Sequence, residues 1–252
     1  MRADTFLWYL RRPKFYSYMI EEISRKFRSI ENLGDRSSAG VWCESVSVTR
    51  NDVFSWLGIT DNSVPREIME FVEKRDEAAP TAMGGAGDYR LLYNLVASRG
   101  YLNCLESGVS KGWTSMAILA GLGDAPKGRL VSVDMPYPKL GLESWVGCCV
   151  PDSLIHRWTL IREPDRNGLR RSLDLMSLVD LFHYDSDKSY WGRKFAFELV
   201  WDRINPGGYL IMDDISDNFA FRDIVTSNRL KDHMKVYKNG SWVGLIQKPE
   251  SP

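Results

Sequence analysis

The stretch Tyr101-Leu-Asn-Cys-Leu-Glu106-Ser-Gly108-Val-Ser110-Lys-Gly112 decides the fold. Its first half is short and apolar and its second half is small and glycine-spaced. A buried parallel strand that breaks into a ligand-facing loop has this pattern. A second stretch, Val179-Asp180-Leu-Phe-His-Tyr184-Asp185-Ser-Asp187-Lys188-Ser-Tyr190, repeats the scheme with carboxylates and a lysine in its loop. Ligands of open α/β sheets bind outside the carboxyl ends of the strands, so both loops are expected to line one crevice.

The spacing Glu106-x-Gly108-x-x-x-Gly112 is not the G-x-G-x-x-G of a dinucleotide site. A carboxylate at its head would repel a diphosphate and suits a cationic or hydroxyl-rich ligand. The residues after Gly112, from Trp113 through Thr114 and Ser115, have helical spacing, and Gly128-Arg-Leu-Val-Ser-Val-Asp134 reads as the next strand. Glu106 and Asp134 are thus one strand–helix–strand unit apart. An acid ending the second strand is placed to accept both hydroxyls of a ribose, or else it is a helix cap or surface acid. Further on, Trp191 to Ile204 has helical spacing, Asn205-Pro-Gly-Gly208 reads as a turn, and a strand follows that ends in Asp213-Asp214. The runs 233–238 and 241–247 flank Asn239-Gly240, a hairpin signal with an expected type I′ turn.

These motifs, over roughly Asp88 to Asp214, resemble class I S-adenosylmethionine-dependent methyltransferases, and most closely O-methyltransferases whose first motif reads E-x-G-x-x-x-G. The resemblance implies a doubly wound, mostly parallel seven-stranded α/β sheet, Rossmann-like, closed by a C-terminal hairpin. It implies S-adenosylmethionine held by Glu106, Gly108, Ser110, Gly112, Thr114, Asp134, Met135 and Asp185. In that family the glycine loop passes under the methionine part, the acid matching Asp134 holds the ribose, and the residue matching Met135 packs on the adenine.

Methyl transfer to oxygen needs the acceptor's proton removed and water excluded. Asp185, Asp187, Asp213 and Asp214 end neighbouring strands, where crowded carboxylates would force a proton onto one of them unless a cation is present. Mg²⁺ accepts such oxygen ligands and could lower the pKa of an acceptor hydroxyl. The set resembles catechol O-methyltransferase and its relatives, which implies Asp185, Asp213 and Asp214 as metal ligands and Lys188 as base, with Asp214 standing where those enzymes have an amide. The stretch 185–190 also resembles the D-x-D-H-S-Y of sugar and natural-product methyltransferases, which put histidine at the place of Lys188. The residues alone leave other readings open. Asp185 could face the cofactor's ammonium group, Lys188 could pair with Asp187 at the surface, and one of the paired acids could cap a helix. His183 reads as a core histidine.

Residues 1–87 form a separate expectation, a helical cap or lid over the methyltransferase domain of residues 88–252. Phe15, Tyr18, Met19, Ile23, Phe27 and Ile30 have amphipathic spacing, and a helix opening at Val64-Pro65 would turn Ile68, Phe71 and Val72 inward with a Glu70–Lys74 pair outside. The glycine-rich stretch 80–87 marks a linker or loop. Self-association through these helices is an expectation, and the Trp8-Tyr9-Leu10-Arg11-Arg12 segment carries little weight as a membrane contact.

The 252 residues carry 33 Lys and Arg against 33 Asp and Glu, so no electrostatic footprint for nucleic acid appears. No apolar run reaches membrane-spanning length and no signal-peptide pattern is present, giving the expectation of a soluble, cytoplasmic protein without stable membrane insertion. The four cysteines lack zinc spacing. The functional expectation is Mg²⁺-assisted O-methylation of a hydroxylated small molecule such as a sugar or natural product. The alternatives are a metal-independent N- or O-methyltransferase and a methyltransferase-like binding protein without turnover.

Overall fold

In the computed structural model, described for residues 3–30, 36–81, 83–123, 127–136 and 142–250, adjacent residues of each central strand face opposite layers. Cys104 and Leu105, Leu181 and Phe182, and Leu210 and Ile211 each send one side chain to one core and one to the other. This two-sided burial explains the apolar runs, because a strand covered by helices on both faces has no solvent side to make polar.

The sheet has seven strands in the order β3-β2-β1-β4-β5-β7-β6: β1 (Asn103–Ser107), β2 (Arg129–Val133), β3 (Trp158–Ile161), β4 (Val179–Tyr184), β5 (Ile204–Met212), β6 (Met234–Asn239) and β7 (Ser241–Gln247). The first five run parallel, and β7 enters antiparallel between β5 and β6. The chain reverses beside β1, which carries β2 on one side and β4 on the other, so the crevice lies over the ends of β1 and β4.

One face is covered by α4 (Arg50–Leu57), α5 (Arg66–Ala78), α6 (Tyr89–Arg99), α7 (Trp113–Gly121) and the short α8 (Asp152–Ile155). The other is covered by α3 (Arg36–Val46), α9 (Asp165–Leu175), α10 (Tyr190–Val200) and α11 (Ala220–Ser227). The first 87 residues therefore contribute to both cores: Val53, Leu57 and Val72 pack with the sheet on one side and Cys43 on the other. Ahead of them, α1 (Ala3–Leu10) and α2 (Tyr16–Ile30) form a helical pair, and α2 lies against α10.

Several local expectations are corrected. Asn205 to Gly208 is not a free turn, because β5 already begins at Ile204 and the four residues form a bulge between the pairs Val179–Ile204 and Leu181–Tyr209. Ile204 consequently belongs to the strand and not to the helix face. The hairpin turn is not type I′: Asn239 pairs with Ser241, and Gly240 alone takes a positive φ. In α5, Val72 is buried but Phe71 is exposed, and Glu70 pairs with Arg66 at 2.7 Å, one turn before it.

Candidate active site

The strand register lines up a polar row on the α7 face of the sheet. Glu106 in β1 pairs with Ser132 in β2 on one side and with His183 in β4 on the other. Each takes the inward position on the same face, so three polar side chains meet beneath the first glycine bend. Glu106 is fully buried and accepts hydrogen bonds from Thr114 Oγ1 (2.5 Å), Ser115 Oγ (2.5 Å) and Ser132 Oγ (2.7 Å). Glu106 and Thr114, both expected at the cofactor, are bonded to one another here. The carboxylate ties the start of α7 to β1 and β2, fixing the loop between them.

His183 extends the row toward β5. Its Nδ1 lies 3.7 Å from Glu106 Oε1 and its Nε2 lies 3.5 Å from Asp213 Oδ2. Burial alone would lower its pKa, but the two carboxylates, Asp213 foremost, overcome burial and raise it to about 10, which favours the protonated ring.

Above this row the backbone bends sharply. Gly108 has φ +93°, and a Cβ there would stand 2.3 Å from the carbonyl oxygen of Asp185. The Asp185 amide donates to the Ser107 carbonyl at 2.7 Å, so the two loops are joined at their roots. Ser110 holds φ +51°, an uncommon conformation for a side-chain-bearing residue, and its amide donates to Asp134 Oδ2 at 3.1 Å. Gly112, Ser110 and Lys111 lie against residues 147–149: the amides of Gly147 and Cys149 donate to the carbonyls of Ser110 and Lys111. Lys111 and Trp113 are both anchored on Asp76 of α5.

Asp134 follows β2 with its carboxylate 3.3 Å from Arg162 Nη1, and Arg162 also grips Glu143. Burial raises the Asp134 pKa to about 6 despite the opposing Arg162. Met135 beside it is half-buried. The loop expected to shape the acceptor pocket lies partly outside the described residues, at 137–141.

On the opposite face, Asp165 at the start of α9 accepts from Ser107 Oγ at 2.6 Å and Tyr184 OH at 2.9 Å. Burial raises its pKa against these hydrogen bonds. Sequence reading missed Asp165 because the short, half-exposed β3 before it has no clear periodicity.

The second loop brings Asp185, Lys188, Asp213 and Asp214 together. Lys188 Nζ lies 3.0 Å from Asp185 Oδ1 and bonds Asp214 Oδ2. Burial works to lower the Lys188 pKa, but Asp185 and Asp214 outweigh it and the net direction is upward. A more firmly protonated amine is a poorer proton acceptor, so in this arrangement Lys188 serves first as the counter-ion of Asp185 and Asp214. Burial, and after it Asp213, raises the Asp185 carboxyl, making it a stronger base than an ordinary carboxylate when ionised. Arg193, also missed, is 1% exposed and donates to the carbonyls of Lys188, Asp213 and Asp214, the last two at 3.0 and 2.8 Å. A charged residue on the inward face of α10, beside Ala196 and Phe197, was the signal available for it.

The donor set fits a divalent cation by residue type alone: Asp185, Asp213 and Asp214 are hard oxygen donors at the ends of two neighbouring strands. The arrangement fits less well. Lys188 already neutralises two of these acids, and among the described residues no group of three ligand side chains converges.

Residues 105–215 match the family of methyltransferase domains. No curated protein matches the sequence. Among solved structures, the Bacillus cereus O-methyltransferase in complex with SAH is similar at TM-score 0.55 and 16% identity, over 82% of this chain and 100% of that one. Podospora anserina methyltransferase PaMTH1, bound to SAH, gives 0.55 and 16% over 85% and 95%. TomG from Streptomyces achromogenes, an O-methyltransferase involved in tomaymycin synthesis and solved with SAM, gives 0.53 and 17% over 80% and 96%. With the strand order and the antiparallel β7, these matches show a methyltransferase domain over residues 105–215 and a fold shared with O-methyltransferases solved with SAM or SAH.

Proposed function

We propose that this chain methylates a hydroxyl group of a small, hydroxylated acceptor. The observation that carries the reading is Asp134: a buried carboxylate next to the Ser110 amide of the glycine bend, on the same rim of the sheet as Asp185. In this reading Asp134 accepts the ribose hydroxyls and Met135 lies against the adenine. The Gly108–Gly112 bend carries the methionine end.

The acceptor hydroxyl meets the sulfonium carbon beside Asp185. The new C–O bond forms as the C–S bond breaks, and the hydroxyl proton passes to the Asp185 carboxylate. S-adenosylhomocysteine leaves as the neutral thioether. Lys188 holds Asp185 and Asp214 in place as their counter-ion. Arg193 fixes the backbone of both loops, so the carboxylates are positioned before the acceptor arrives.

The test has two parts. Calorimetry with S-adenosylhomocysteine should show binding to the wild type and to Asp185→Asn, and a loss of roughly tenfold or more in Asp134→Ala. Transfer of radiolabelled methyl from S-adenosylmethionine to a panel of sugars and polyhydroxylated natural products should then survive in the wild type alone. Unchanged cofactor affinity in Asp134→Ala would refute the ribose role, and full transfer by Asp185→Asn would refute the base.

A second reading rests on the three carboxylates of Asp185, Asp213 and Asp214 at the ends of adjacent strands β4 and β5, a donor type that suits a Mg²⁺ ion. Such an ion would supply positive charge beside the acceptor oxygen and lower its pKa. Transfer abolished by EDTA and restored by Mg²⁺ would select this reading; indifference to chelation would reject it.

A further inference from the structure

Arg162 ties together parts of the rim that lie far apart in sequence. It directly follows β3, as Asp134 directly follows β2, and the Asp134 amide donates to the Ile161 carbonyl at 3.0 Å. The two side chains therefore start from neighbouring strand ends. Arg162 Nη1 donates to the Asp134 carbonyl at 3.1 Å and lies 3.3 Å from Asp134 Oδ2. Its Nε and Nη2 grip the two carboxylate oxygens of Glu143 at 2.8 and 2.6 Å. A planar guanidinium engaged through all of its nitrogens has a fixed orientation, which a flexible ammonium does not reproduce.

Glu143 belongs to the short helical turn Leu142–Trp145, whose continuation splints the glycine bend. The Gly147 amide donates to the Ser110 carbonyl at 2.9 Å, and the Ser110 amide donates in turn to Asp134 Oδ2 at 3.1 Å. The contacts close a ring. It runs from Asp134 to Arg162 and Glu143, along the chain to Gly147, and through Ser110 back to Asp134. The Arg162 and Asp134 side chains are 21% and 10% exposed, so this is not a solvated surface pair, which would contribute little.

We propose that Arg162 is a positioning residue for the cofactor, orienting the Asp134 carboxylate toward the ribose while Glu143 holds the guanidinium in place. The proposal rests on the ribose role given to Asp134 above. Arg162 acts on that carboxylate through geometry and through charge. Burial and the Asp165 carboxyl push the Asp134 pKa up, whereas Arg162 and the amides of Ser110 and Val109 pull it down. Without the guanidinium, Asp134 should take up its proton at a higher pH. Without the Glu143 charge, Arg162 stays beside Asp134 but loses its anchor, so orientation should suffer with no such rise.

The experiment is calorimetric titration of the full chain with S-adenosylhomocysteine from pH 5 to 9. Relative to the wild type, Arg162→Gln should move the midpoint of the affinity loss upward by roughly one unit. It should also bind roughly tenfold more weakly at the alkaline end, where Asp134 is ionised in every variant and orientation alone differs. Arg162→Lys returns the charge without the fork, so its midpoint should match the wild type while the weaker alkaline binding persists. Glu143→Gln alters a half-exposed side chain and gives a measurement even if Arg162→Gln does not fold. It should weaken binding roughly threefold or more with no upward shift, and its loss should not add to that of Arg162→Gln in the double variant. A midpoint unmoved by Arg162→Gln, or wild-type affinity in Glu143→Gln, overturns the proposal. Wild-type affinity in Asp134→Ala would remove the ribose role and this proposal with it. Affinity that depends on Asp134 but ignores Arg162 would overturn the positioning role alone.

Discussion

Gly108 and Asp185 touch through their backbones so closely that a single added carbon at Gly108 would come within 2.3 Å of the Asp185 carbonyl oxygen. The contact fuses the loop after β1 to the loop after β4, and the φ of +93° at Gly108 makes a side chain there doubly unfavourable. Gly108→Ala is expected to destabilise the fold by about 2–4 kcal/mol and to lose S-adenosylhomocysteine binding. Urea denaturation followed by calorimetry measures both, and a variant of native stability would contradict the contact.

Asp134 offers a pH signature. Its pKa of about 6 is above the ordinary carboxylate range, so protonation begins within accessible conditions. The ionised form accepts ribose hydroxyls better than the neutral acid, and cofactor affinity should fall as pH drops through 6. For stability the sign is opposite: a raised acid favours the fold below about 3.9, and that contribution is lost as pH rises through 6. Calorimetric titration of S-adenosylhomocysteine between pH 5 and 8 should show the decline in the wild type and a flat profile in Asp134→Asn.

His183 titrates at the other end. Its folded pKa of about 10 compares with about 6.5 for a free imidazole, so its contribution is complete below pH 6.5 and disappears as pH climbs toward 10. Melting temperature should decline over that interval more steeply in the wild type than in His183→Gln. Parallel profiles would mean that the ring is neutral between Glu106 and Asp213.

Arg193→Met removes the donors to three carbonyls on two loops while keeping an apolar stem of similar length. The carbonyls of Lys188, Asp213 and Asp214 lose charge-assisted partners, at a cost of roughly 3 kcal/mol or more. Thermal melting and methyl transfer should both suffer, whereas Lys194→Met one residue along should leave both near wild type.

The legible parts of the molecule were those where one residue's chemistry and its strand position coincide. The runs ending at Ser107, Val133, Tyr184 and Met212 are apolar because both faces are covered, so four strands and their loops could be read directly. The short β3 was not, since its burial alternates weakly. Pairing across strands was also hidden. Glu106 and His183 are 77 residues apart in sequence, and only the register that sets them side by side places a core histidine between two carboxylates. The same gap hid the partners of Lys188, because Asp214 lies 26 residues away and meets it only across the ends of β4 and β5. The bulge at Asn205–Gly208 misled for a local reason, since Pro and Gly are turn residues that a strand accommodates only at an irregularity.

Asp88 gathers Arg50 from α4, Tyr237 from β6 and the amide of Leu91 from its own helix. Early and late parts of the chain are thus buckled together at one carboxylate. A fragment trimmed to the recognisable 105–215 segment would be missing both sides of that buckle and one wall of its interior. Grafting or shortening this protein has to start upstream of Arg50 and finish beyond the terminal hairpin, because this clasp lies wholly outside residues 105–215.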